Sequence, residues 1–140
     1  MKKTGLILLI ATVMVTVACT KKKSSTSAVD PRVPPKLEFK TGVAYVYKDT
    51  TVTRQDTLLF GVIATKTEDN LTTLNGSSSF DGSTSTNSFY NHHMVSSEYP
   101  GYTTDVLYYV RNQAGTEKVI FTVVDRDGNI TKISVNITVI

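Results

Sequence analysis

The chain has 140 residues, with 15 Lys and Arg against 12 Asp and Glu, one cysteine and no tryptophan. Five of the fifteen basic residues fall in the first 23, so from Ser24 onward ten basic residues face twelve acidic ones, a net of −2. That excludes the basic face with which a nucleic-acid binder neutralises phosphates, and a single cysteine excludes an internal disulfide.

The first element is a leader. Met1-Lys2-Lys3 is a short positive stretch, and residues 5–18 are apolar except for Thr12 and Thr16. This is the layout of a secretory signal, and it falls short of the roughly 20 apolar residues of a membrane span. The run ends Thr16-Val17-Ala18-Cys19, which resembles the lipobox of bacterial lipoproteins, although Thr16 stands where that motif usually has Leu. The resemblance implies that residues 1–18 are removed and that Cys19 becomes the lipid-carrying first residue. Several acyl chains on Cys19 would anchor the protein firmly, since one chain alone binds a membrane only marginally. The competing reading, an ordinary signal peptide with a cysteine near its end by chance, gives that cysteine no use.

Residues 19–35 follow as a Lys/Ser/Thr/Pro-rich tether with little to bury. Lys21, Lys22 and Lys23 suit either anionic lipid head groups or a plain solvated stalk. Residues 36–140, about 105 in all, are enough for one domain with one core. Helical periodicity is nearly absent there, and strand signals are frequent. Strands are predicted at 37–40, 43–47, 56–65, 71–80, 88–94, 105–111, 118–124 and 130–140. Residues 56–65 are apolar on both faces and read as a central strand. In the last run Ile133, Val135, Ile137 and Val139 alternate with Lys132, Ser134, Asn136 and Thr138, so one face is core and the other is wet. The Asp125-Arg126-Asp127-Gly128-Asn129 turn before it predicts a hairpin, with Gly128 or Asn129 at positive φ. The expected fold class is all-β: an immunoglobulin-like β-sandwich of seven to eight antiparallel strands. Its expected core is Phe60, Ile63, Phe121, Val123, Ile133, Val135 and Ile137.

The stretches LEFKTG (37–42), DTLLFGVIAT (56–65) and TEKVIFTVVDRDGNITKISVNITV (116–139) look like small lipoproteins of Bacteroidota-type bacteria that carry one immunoglobulin-like or PKD-like domain. The resemblance implies a fold and an envelope location and assigns no activity. In such bacteria acidic residues after the lipidated cysteine mark surface display. Thr20-Lys21-Lys22-Lys23 stands here instead, which favours an outer or other envelope membrane with the domain facing the periplasm.

Asp125, Asp127 and Asn129 have the D-x-D-x-N spacing that suits a hard cation such as Ca²⁺. Against it, Ile130 stands where a calcium loop needs Gly and Asn136 where it needs a carboxylate, so the segment also reads as a plain hairpin turn. His92 and His93 are neighbours that a strand sends to opposite faces, and no other histidine exists to complete a zinc site. Tyr90, Tyr99 and Tyr102 gather in a Ser/Asn-rich stretch as candidate stacking residues for a glycan or protein partner. Asp49-Thr50-Thr51 and Asp56-Thr57-Leu58 look like the O-glycosylation acceptor of such bacteria, with Thr50 the better candidate. No nucleophile elbow or phosphate-cradling loop is present. The expectation is a non-enzymatic, lipid-anchored interaction or accessory module with no cofactor, whose partner is an envelope protein or glycan. The alternative is a carbohydrate-binding accessory lipoprotein.

Overall fold

A strand buried on one face sends every second side chain inward, and β-branched residues at that period dominate the C-terminal half. The computed structural model describes residues 33–140; the leader at 1–18, Cys19 and the tether up to residue 32 lie outside the described residues. Eight strands form: β1 (Lys36–Phe39), β2 (Thr50–Val52), β3 (Thr57–Thr65), β4 (Leu71–Phe80), β5 (Asn87–His93), β6 (Gly101–Tyr109), β7 (Gly115–Asp125) and β8 (Ile130–Val139). They make two sheets, β1-β3-β6 and β2-β8-β7-β4-β5. The domain is all-β and sandwich-like.

The core lies between the sheets. From the smaller sheet come Leu37, Leu58, Phe60, Val62, Val106 and Tyr108, and from the larger Leu71, Leu74, Val119, Phe121, Val123, Val135 and Ile137. Aromatic rings join the layers: Phe60 and Phe121 have centroids 5.6 Å apart, and Phe89 lies 4.8 Å from Tyr108. The described end of the tether is already docked, because Thr67 donates to the Pro34 carbonyl and Thr131 to that of Pro35.

Four expectations need correction. Residues 43–47 do not form a strand. Gly42 adopts φ +146° and Tyr45 N–H returns to its carbonyl, so the chain turns; the only backbone bond from this segment to the sheet is Val46 N–H to Leu59. The strand that does form is β2, and it pairs with β8 in parallel, so the strands are not all antiparallel. Ile63 is not core: Phe60, Val62 and Ala64 hold the inner positions of β3, and a residue three places from Phe60 must face outward. Ile133 is half-buried, because the core face of β8 closes only from Val135 onward. Gly128 takes the positive φ of the β7–β8 turn.

Candidate functional site

Strands β5 and β6 are the edges of the two sheets on the same side of the sandwich, and the tyrosine cluster forms where they face each other. The β4–β5 ladder slips its register between Gly76 and Ser77. Such a bulge re-aims side chains, and here the consecutive Phe89 and Tyr90 both pack inward. Gly76 makes the room: a Cβ there would stand 3.0 Å from the Phe89 ring and 3.1 Å from Phe121.

The Tyr90 hydroxyl lies 3.1 Å from that of Tyr102, across the gap between the sheets. His92 stacks flat on Tyr102, with centroids 4.3 Å apart and planes 5° from parallel, and its Nε2 is 2.8 Å from a Glu98 carboxylate oxygen. Glu98 also accepts from the Val95 N–H. That N–H and His92 hold the Glu98 carboxyl below its usual range. Burial, with help from Tyr102, pushes Tyr90 up to about 12. Tyr99 packs against the core from the β5–β6 loop, and its carbonyl accepts from Leu71. All three tyrosines are half-buried, and His92 covers one face of Tyr102. His93 faces solvent, opposite to His92.

In the β7–β8 turn, Asp125 is buried and both its carboxylate oxygens accept from Asn129, one from the backbone N–H and one from the side-chain amide. The D-x-D-x-N spacing therefore closes on itself. Asp127 turns toward Asp69, and burial together with that neighbour raises its pKa. Among the described residues no group of three or more His, Cys, Asp or Glu side chains is placed to hold a metal ion. Thr50 opens β2 and is half-buried opposite Ile137.

A second cluster, which sequence reasoning missed, sits at the pole formed by the β4–β5 and β6–β7 turns. Arg111 donates to both Asp81 oxygens, at 2.7 and 2.6 Å, and its guanidinium lies 5.0 Å from the Phe80 ring centre. Asp81 also accepts from the Thr116 N–H. Behind Arg111, fully buried Glu117 accepts from the Tyr108 hydroxyl at 2.7 Å and from the Arg111 N–H at 3.0 Å. Beside this pole a recess of about 400 Å³ is lined by Ser79, Ser83, Thr116, Lys118 and Asn136, among others. Asp81 and Arg111 are thirty residues apart, and no local pattern marks such a pair.

The pole is expected to make stability fall at acid pH. Hydrogen bonds from Arg111, then from Thr116, hold Asp81 at about 2, below its ordinary 3.8. A depressed carboxyl stabilises the fold fully above its unfolded pKa and loses that contribution as pH falls through the folded one. The thermal midpoint is therefore expected to hold down to about pH 4 and to drop between about pH 4 and 2. Asp81→Asn is expected to lower the neutral plateau and flatten that drop. A wild-type midpoint that stays level to pH 2 would contradict this.

No protein-family model matches the chain, and no curated protein matches it in sequence. The class that fold and site define is an all-β, two-sheet domain of about 108 described residues. Its charged side chains cross-link loops to strands.

Proposed function

We propose that the chain is a lipid-anchored cell-envelope protein whose domain is immunoglobulin-like and works as a non-enzymatic interaction or accessory module. Strand order supports the fold assignment. Immunoglobulin sandwiches place strands A, B and E in one sheet and C, F and G in the other. The order β1-β3-β6 corresponds to A-B-E, and β8-β7-β4 to G-F-C. The fifth strand joins the larger sheet through its hairpin with β4, as a C′ strand does in variable-type domains.

The observation that carries the interaction reading is Leu107 and Tyr109. They lie on one regular strand, 53% and 72% exposed, on the outer face of the smaller sheet. The other large exposed apolar residues lie singly, in loops or at chain and strand ends, whereas Leu107 and Tyr109 are neighbours on one face. Large exposed apolar side chains grouped on rigid structure mark contact surfaces. In-cell cross-linking of the full chain, compared with a Leu107→Ser/Tyr109→Ser variant, tests this. Partners are expected with the first and lost with the second; identical cross-linked species from both would refute it.

Carbohydrate binding is the second reading, favoured by the convergence of Tyr90, Tyr102, His92 and Glu98 at one rim. A glycan array separates the two. Glycan binding that survives Tyr90→Ala, Tyr99→Ala and Tyr102→Ala together would rule out this site.

The anchor is tested at Cys19, the only thiol in the chain. Cys19→Ala is expected to abolish palmitate labelling and leave a precursor about two kilodaltons larger, the mass of an 18-residue leader. A Cys19→Ala chain still cut after Ala18 and released in soluble form would mean an ordinary signal peptide.

A further inference from the structure

We propose that the free edge of β6 pairs antiparallel with the same edge of a second copy of this chain, joining two three-stranded sheets into one of six strands. The inference deepens the interaction reading by naming the surface and the partner, and it rests on that reading only for the view that the domain binds something.

Backbone bonding defines the edge. Val110 N–H donates to Asp56 and Lys66 N–H to Pro100, so the even-numbered residues of β6 turn their backbone groups toward β3. In an antiparallel ladder the alternate residues face away. Thr103, Asp105, Leu107 and Tyr109 therefore present an N–H and a C=O each to the outside, while the Gly101 N–H donates back to the Glu98 carbonyl at 3.0 Å. Among the described residues no hydrogen bond reaches the outward N–H and C=O groups of those four. Among the described residues no strand takes the position where an immunoglobulin sheet carries strand D, because β5 has gone to the other sheet.

Proteins blunt sheet edges by shortness, bulges, prolines or lysines, and three of the four edges are blunted. Strand β1 has four residues, begins with Lys36 and follows Pro34-Pro35; β2 has three residues; β5 carries the bulge. Strand β6 has none of these devices; the one charge it carries, Asp105, is paired with Lys40. It runs nine residues in unbroken register with β3 and contains no proline or lysine. A row of outward N–H and C=O groups takes another extended backbone, and an unbulged strand matches a copy of itself about a two-fold axis.

Charge favours the copy. The one ionised group on the outward row, Asp105, is held by Lys40 at 2.5 Å and by the Tyr45 hydroxyl at 3.2 Å. Thr103, Leu107 and Tyr109 are uncharged, so two such edges approach without net repulsion. A register centred on Asp105 would oppose it to its own copy. Shifting the centre to Val106 or Leu107 avoids this and brings the two Leu107 residues directly opposite or one diagonal apart, within about 8 Å.

The test uses the full chain expressed in cells. Leu107→Cys, treated in cells with a short thiol-to-thiol reagent, is expected to give a covalent species of twice the chain's mass. Its yield should be at least several-fold above that of Val43→Cys, which is fully exposed in the turn after β1. Leu107→Lys and, independently, Thr103→Lys place a lysine on the row; each is expected to weaken self-association at least tenfold in detergent-solubilised protein while the thermal midpoint holds. Equal yields at positions 43 and 107, a monomeric wild type, or a dimer unchanged by both lysines would each overturn the proposal. An adduct of Leu107→Cys with a different protein would also overturn it, while keeping the interaction reading, with a foreign strand on the edge.

Discussion

Ile137→Asp is expected to leave the domain unfolded at room temperature. Ile137 is fully buried on the inner face of β8, and its cross-strand partner on β7 is Glu117, itself 1% exposed. The substitution removes a packed side chain and sets a new carboxylate opposite one already buried. Losing the packing alone costs about 2–5 kcal/mol, and burying an unpaired charge adds several more. A domain of this size holds only about 5–15 kcal/mol in all. The neighbouring Asn136→Asp is the control. Asn136 is exposed and donates twice to Asp49, so a carboxylate there faces another in solvent and costs about 1 kcal/mol. Circular dichroism and urea titration distinguish the two. Equal damage from both would mean that the register of β8 is wrong by one residue.

Glu117→Ala is expected to cost about 3–5 kcal/mol, the usual result of removing one member of a buried charged network. It strands the Tyr108 hydroxyl and the Arg111 N–H together. Arg111 Nε has no other partner: it lies 3.3 Å from Glu117, within ion-pair reach but not aligned as a hydrogen bond. Burial, reinforced by the hydrogen bond to Glu117, raises the Tyr108 pKa, so the hydroxyl remains a donor. Tyr108→Phe removes only that donor and is expected to cost about 1–3 kcal/mol. Because each partner is stranded by loss of the other, the double variant should cost less than the two singles added. Urea denaturation of the four proteins measures this. A Glu117→Ala cost below about 1 kcal/mol would show that the pole does not hold the sheets together.

Strands β3, β4, β7 and β8 were legible because burial of one face, or of both, writes itself into the order of apolar residues. Strand β2 was not. Thr50-Thr51-Val52 carries no period long enough to read, and it is a strand only because β8 offers it an edge. Residues 43–47 show the opposite failure. Their unbroken run of apolar, mostly β-favouring residues, Val43-Ala44-Tyr45-Val46-Tyr47, suggested a strand, yet Gly42 turns the chain before a ladder can form.

The sites divide in the same way. That Tyr90, Tyr99 and Tyr102 crowd one stretch was visible; that Tyr90 and Tyr102 meet, and that His92 lies over one of them, depends on two sheets closing. The D-x-D-x-N spacing was visible too, but the bond partner of Asp125 proved to be Asn129 of its own turn. Short-range order follows from each residue's own geometry and solvation, so the sequence alone determined most strands, their inward faces and the β7–β8 turn. Contacts such as Asp81 with Arg111, Tyr108 with Glu117 and the bare edge of β6 join or expose segments far apart in the chain. Only the tertiary structure decided those, because they depend on which sheet each strand joins.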